Sequence, residues 1–431
     1  MMENLEVYIL VISFVFLLAI GVPVAYTVGL CSLFTILINV DPIMAFTTIA
    51  QRMATGLDSF SLLAIPLFIL AGQIMNQGGI AQRLIAFAKA LVGSFPGGLA
   101  YVNIVGAMLF GAISGSSMAA VSAIGGALGP SMEKEGYDKS FSAAVNIVSS
   151  TTGLVIPPSN ILIVYSLASG GVSISALFLA GYIPGMMMGL SLMLVVAIYA
   201  KIKKYPSGQK TTLRNILFTF IHALPCLTML VVVIGGIVTG IFTATEASGI
   251  AVLYTFILSL IYKELSIIKI QQIAIDSIGT TAVVALLIVC SMSMAWVLSY
   301  ADIPQAITSG LLGISNNPII ILLLINLLLL AVGVFMDMTP AVLIFTPIFL
   351  PVVITLGIDP VHFGIVMVMN LCIGLCTPPV GAVLFVGIGI AGVSLEEVIK
   401  PLIPLFLVMI IVLIMITFYP KFSLFLPELL E

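Results

Sequence analysis

Asp337 lies in Gly333-Val334-Phe335-Met336-Asp337-Met338-Thr339-Pro340, with about twenty mostly apolar residues before it and about a dozen after. A carboxylate placed that deep in an apolar run is costly, and such groups mark ion or substrate paths. Asp337 suits direct ligation of Na⁺ or carriage of a proton. Three residues ahead of Pro340, it also suits a helix N-cap. Other oxygen-rich segments share its setting. Gly111-Ala112-Ile113-Ser114-Gly115-Ser116-Ser117 combines small residues, which permit a tight hairpin tip, with hydroxyls that suit a hard cation. Small residues also serve close helix packing. In Thr151-Thr152-Gly153-Leu154-Val155-Ile156-Pro157-Pro158-Ser159-Asn160, the prolines remove two donors and free upstream carbonyls. Gly374-Leu375-Cys376-Thr377-Pro378-Pro379-Val380-Gly381 repeats that chemistry, with Thr377 as its side-chain ligand.

The elements that position these residues are membrane helices. Of 431 residues, 61% are hydrophobic and 7% charged. Soluble domains carry about a quarter charged residues, so this composition excludes a soluble enzyme, a nucleic-acid binder and a disordered chain. At ~20 residues per crossing the apolar content allows about a dozen crossings. The net charge of -3 gives no reason to expect nucleic acid. Cys31, Cys226, Cys290, Cys372 and Cys376 sit in apolar runs without flanking His or carboxylate, and read as packing residues. No Gly-Lys-Ser or Gly-Lys-Thr is present to house ATP, and no His-Glu-x-x-His to house a catalytic metal.

Residues 5–39 read as two helices turning at Gly21-Val22-Pro23, and Asp58 opens a crossing that ends near Gln73. An amphipathic stretch with Arg83 and Lys89 follows. Further crossings are expected near 175–200, 216–240, 242–262 and 273–299. The acidic N-terminus, Met1 to Glu6, lacks a cleaved signal's basic region, so the first apolar stretch is expected to remain. Lys201, Lys203, Lys204, Lys210 and Arg214 place loop 201–214 in the cytoplasm. Counting crossings puts Glu133–Lys139 on that side, and Gly357-Ile358-Asp359 and both termini on the other. His222 and His362 read as interfacial, and Trp296 with Tyr300 as an aromatic belt.

The sequence resembles itself at an offset of 221. Pro130, Gly136, Asp138, Val145, Gly153-Leu154, Pro157-Pro158 and Gly171-Val172-Ser173 recur as Pro351, Gly357, Asp359, Val366, Gly374-Leu375, Pro378-Pro379 and Gly392-Val393-Ser394. This reads as an internal duplication, inverted across the membrane by the charge count. The expected organisation is a scaffold part at 1–93 and a first transport repeat at 94–200, with hairpin 97–131 and broken helix 140–168. A basic loop with the second scaffold part occupies 201–300. The second transport repeat spans 301–431, with hairpin 318–356, broken helix 361–392 and a last helix.

Several motifs together carry a resemblance to a known family: Gly56-Leu57-Asp58-Ser59-Phe60, Leu63-Ala64-Ile65-Pro66-Leu67-Phe68, Ile113-Ser114-Gly115-Ser116, Ile156-Pro157-Pro158-Ser159, and Thr245-Glu246-Ala247 with Asp337. In their order and spacing the chain resembles the large, DctM-type membrane subunit of tripartite ATP-independent periplasmic (TRAP) transporters over nearly its whole length. The resemblance implies an all-α inverted-repeat elevator transporter of the ion-transporter superfamily type, with two re-entrant hairpins. It implies Na⁺-coupled import of an organic acid into a bacterial cell through the inner membrane. It also implies two partners, a periplasmic substrate-binding protein and a small four-helix membrane subunit. Two departures stand out: Ser117-Met118-Ala119-Ala120 lacks the acidic residue relatives often carry there, and Gly153-Leu154 replaces a common Gly-Pro.

The expected Na⁺ ligands are Ser114, Ser116, Thr152, Gly153, Pro157, Asp337, Thr377 and Gly381. The expected substrate contacts are Ser114, Gly115, Ser116, Ser117, Asn146, Asn160, Asp337 and Thr339, with Arg52 as the nearest base for a carboxylate; Arg52 also reads as an interfacial anchor. Glu246 reads as the N3 partner of Thr243 in a capping box. The alternative function is an autonomous Na⁺- or H⁺-coupled organic-anion carrier working without a binding protein.

Overall fold

The computed structural model describes residues 5–208 and 211–430; Lys210 of the basic loop and the first four residues of the acidic N-terminus lie outside them. The order is α1 (Leu5–Ala19), α2 (Val24–Ile36), α3 (Pro42–Thr55), a 3₁₀ turn (Phe60–Leu63) running into α4 (Ala64–Gln77), and α5 (Ile80–Val92). Next come α6 (Gly98–Ser114), α7 (Ser117–Lys134), α8 (Lys139–Thr152), α9 (Asn160–Ala168) and α10 (Ile174–Lys203). Then follow α11 (Leu213–Val238), α12 (Ala244–Ile261), α13 (Ile267–Tyr300) and α14 (Ile303–Ile314). The chain finishes with α15 (Pro318–Phe335), α16 (Met338–Thr355), α17 (Pro360–Gly374), α18 (Ala382–Ala391), α19 (Leu395–Phe418) and α20 (Lys421–Leu430).

Among the described residues, 8 helical spans are long and apolar enough to cross a bilayer. That is fewer than the composition allows, because much of the apolar sequence lies in shorter helices such as α6, α17 and α18. Three helices have no counterpart in the sequence reading: α3, α14 and α20. The first is set by local chemistry. Asp41 accepts a hydrogen bond from Ile43 N at 3.0 Å, and Pro42 at the first helical position has no N–H to leave unpaired.

The element bounds repeat at the offset seen in the sequence. Adding 221 to the ends of α7 gives those of α16, and Ser173 and Ser394 each cap the helix that follows its broken pair. Packing is exchanged between the repeats: α7 lies against α18, and α16 against α9. Separately, α4 packs on α12, α2 on α13 and α5 on α11.

Two glycine pairs let each hairpin lie against its own broken helix. A Cβ on Gly153 would meet Gly111 Cα at 2.5 Å, and one on Gly374 would meet Gly333 Cα at 2.6 Å. Beside these contacts sit matched polar links. Ser149 donates to Asn103 Oδ1 at 2.7 Å, and its repeat counterpart Asn370 donates to Asn326 Oδ1 at 3.0 Å.

Candidate functional site

Each hairpin turns at a two-residue tip. Gly115 ends α6 in the left-handed region at φ 60°, and Ser116 is extended at φ -135°. The Ser116 hydroxyl accepts from Ala119 N at 3.2 Å, capping α7. Ser114 Oγ accepts from Ser116 N at 3.4 Å across the turn. In the second hairpin Met336 and Asp337 are both extended, and Asp337 occupies the N-cap position of α16. Its side chain makes no capping hydrogen bond. The carboxylate is instead exposed, and the residue lines a cavity.

That cavity, about 230 Å³, brings together Ser114, Gly115, Ser116 and Ser117 from the first tip, Asp337 and Thr339 from the second, and Asn160 from the start of α9. The repeats therefore meet at one space, with the helix N-termini of α7, α9 and α16 around it. Backbone N–H groups at such ends favour an anion, and the single carboxylate favours a cation. Both broken segments reach the cavity, through Leu154 and Leu375.

The remaining candidate ligands lie in the breaks themselves and do not line the cavity. Thr152 is fully buried and donates to Ser149 O at 2.6 Å, while Thr377 donates to Ile373 O at 2.8 Å. Gly381 N bonds back to Thr377 O at 3.1 Å, closing the second break, and Gly153 faces Gly111. Both Pro157-Pro158 and Pro378-Pro379 are cis. Among the described residues no group of three or more His, Cys, Asp and Glu exists. A cation here would take hydroxyl and carbonyl oxygens with one carboxylate, a donor set suited to a hard cation.

Two expected substrate contacts are placed elsewhere. Arg52 lies 5.1 Å above the Trp296 ring and outside the cavity, because α3 sets its guanidinium against an aromatic face. Asn146 is 4% exposed and donates to Val121 O at 2.8 Å; it lines a separate cavity of about 210 Å³ with Asn103, Glu133 and Ser142.

His362 corrects the interfacial reading. It is fully buried, with Nδ1 2.7 Å from Ser423 Oγ, because α20 folds back over the start of α17. His222 is exposed, and all five cysteines are buried free thiols. Glu246 does form a capping box: Thr243 N donates to its Oε2 at 2.8 Å, and Glu246 N donates to Thr243 Oγ1 at 3.3 Å.

The sequence reading missed the opposite wall. Ile65, Ile69, Gln73 and Asn76 of α4, with Thr280 and Val284 of α13, complete the cavity. Positions 65, 69, 73 and 76 share one helical face, the only local signal that could have grouped them. Gly72, on the same face, approaches the first tip so closely that a Cβ there would sit 2.7 Å from Ser114 O.

Comparison with known proteins agrees with this architecture. The family model described as "Tripartite ATP-independent periplasmic transporter, DctM component" matches residues 11–422. The Salmonella typhimurium protein YgiK is 54% identical over 417 residues, covering 97% of this chain and 96% of that one. The C4-dicarboxylate TRAP transporter large permease protein DctM of Pseudomonas aeruginosa is 39% identical over 88% of this chain and 89% of its own. Among solved structures, the Alcanivorax borkumensis YdaH transporter superposes with TM-score 0.68 at 12% identity, covering 90% of each chain; at that identity the likeness is one of fold. Cavity, paired hairpins and sequence relatives converge: this chain is a multi-pass transporter permease and belongs to the DctM component family of tripartite ATP-independent periplasmic transporters.

Proposed function

We propose that this permease imports an organic acid, driven by Na⁺, with the substrate and the ion held in the cavity between the two hairpin tips. The observation that carries the reading is the meeting of Ser114–Ser117 and Asp337–Thr339 around one space, with Asn160 beside them. Several relatives are named for carboxylates, as in the C4-dicarboxylate and 2,3-diketo-L-gulonate permeases, and one for the sulfonate isethionate, so the shared chemistry is that of organic acids. Helix N-termini around the cavity suit such an anion, and Asp337 with nearby hydroxyls suits its co-transported cation.

In this reading residues 94–200 and 301–431 move as the transport part and 1–93 with 201–300 stay as scaffold. The exchanged packing of α7 on α18 and α16 on α9 supports treating the two repeats as one body. Their displacement against α4 and α13, in an elevator motion, would carry the cavity across the bilayer. Ser114, Ser116 and Asp337 hold Na⁺ at the tips, with oxygens of Thr152, Gly153, Pro157, Thr377 and Gly381 serving the sites at the breaks. Inversion of the repeats, the inner-membrane setting, the cytoplasmic loop 201–214 and the outward termini belong to the same proposal. So do the partners: a small four-helix membrane subunit and a periplasmic binding protein that delivers the acid.

The test is uptake of labelled organic acids into proteoliposomes holding this chain and its small partner, with and without an inward Na⁺ gradient and the binding protein. Uptake that needs both additions is the expected result. Uptake that needs neither overturns the tripartite, Na⁺-driven reading in favour of an autonomous carrier.

A further inference from the structure

The cavity's two walls differ in chemistry. Among the described residues the hairpin wall carries the one charged lining residue, Asp337, and no Lys, Arg or His lines the cavity. The facing wall is neutral. Ile65 and Ile69 are followed on the same face of α4 by Gln73 and Asn76, whose amides have no protein hydrogen-bond partner among the described residues. Thr280 donates its hydroxyl to Asp276 O at 2.9 Å, which leaves its oxygen lone pairs open to accept.

A carboxylate at the helix N-termini is served by backbone N–H groups. A second carboxylate on the same substrate would reach a wall with no cation, in a space that already contains Asp337. Two carboxylates sharing one site repel each other, and no basic side chain lines this one to offset them. Hydroxyl groups fit that wall instead, because each carboxamide offers two donors and an acceptor at once. A site built to pair hydroxyls also rejects analogues that lack them, since its own amides are then left unpaired.

We propose that this cavity selects a monocarboxylate bearing several hydroxyl groups, of the sugar-acid kind, over a C4-dicarboxylate, with Gln73 and Asn76 as specificity-determining residues. The inference rests on the organic-acid reading above and concerns which acid the permease itself prefers, apart from any filtering by a binding protein.

The experiment uses the full chain with its small membrane partner in lipid nanodiscs, without binding protein. Binding of D-gluconate and of succinate is measured by calorimetric titration in NaCl and in choline chloride. In Na⁺, gluconate should bind at least about tenfold more tightly than succinate. Gln73→Leu combined with Asn76→Leu should weaken gluconate about tenfold more than it weakens succinate. Gln73→Arg should raise succinate affinity and narrow the gap, a gain that misfolding does not produce. Tighter binding of succinate by the unmodified chain overturns this inference and leaves the organic-acid reading standing. An equal loss for both acids in the double variant removes Gln73 and Asn76 from selection. Failure of both acids to bind in a Na⁺-dependent way overturns this inference; if proteoliposomes supplied with the binding protein also take up no carboxylate, the organic-acid reading falls with it.

Discussion

Gly153 and Gly111 are in backbone contact: a Cβ on Gly153 would stand 2.5 Å from Gly111 Cα, and Gly374 faces Gly333 in the same way at 2.6 Å. The contact joins the start of each helix break to the hairpin beside it, so the tips and the breaks are held as one unit. Gly153→Ala and Gly374→Ala should each destabilise the protein by about 1–3 kcal/mol, the usual cost of overpacking. Gly126→Ala, which would meet nothing within 4 Å, should be neutral or stabilising. Thermal unfolding in detergent compares the three, and equal melting temperatures would remove the contact from the stability argument.

Asp337 caps nothing with its side chain, so its carboxylate is available to the cavity. Asp337→Asn keeps the shape and removes the charge. Uptake driven by Na⁺ should fall by at least about tenfold, the effect of losing ~1.4 kcal/mol of ion binding. The melting temperature in detergent should hold. Normal uptake by this variant excludes Asp337 from coupling.

The hydroxyls of the first tip divide their work. Ser116 caps α7 through Ala119 N, and its removal should cost about 1 kcal/mol of stability. If the tip also holds Na⁺, the double variant Ser114→Ala, Ser116→Ala should shift the Na⁺ response of uptake to higher concentration. An unchanged Na⁺ curve with a lowered melting point would leave the tip a capping and packing element only.

Arg52 lies over Trp296 and away from the cavity. Arg52→Ala should leave the KM for substrate within about twofold, since no direct contact worth ~1.4 kcal/mol is removed. A tenfold rise in KM would return Arg52 to the binding site.

Asn370 donates to Asn326 Oδ1 at 3.0 Å and to its backbone carbonyl at 3.1 Å, deep in the second repeat. Asn326 in turn donates to Thr417 at 2.9 Å, reaching α19. Asn370→Leu should destabilise by about 1–2 kcal/mol, the range for polar links between membrane helices. Chemical denaturation of the variant in detergent measures it.

Much of the architecture was legible in the sequence because it is written in residues that act locally. Proline removes a donor and fixes φ, so Pro157-Pro158 and Pro378-Pro379 mark breaks wherever they stand. Gly115 between two serines marks a turn, Thr243 with Glu246 marks a cap, and an aspartate in an apolar run marks itself by its cost. Repetition of these marks at 221 residues disclosed the duplication, and the helix bounds follow it.

Only tertiary structure decided which side chains share the cavity. Gln73 and Asn76 look like any polar residues near the end of a membrane helix; they face the hairpin tips because of the rotation and depth of α4. Arg52 and Asn146 had suitable chemistry but went elsewhere, one to an aromatic ring and the other to a carbonyl of α7. His362 lies beside a loop in sequence yet is sealed by α20, 61 residues further on. Breaks, caps and turns depend on bonds within a few residues. Which face meets which depends on packing between helices far apart in the chain, and no short segment contains that information.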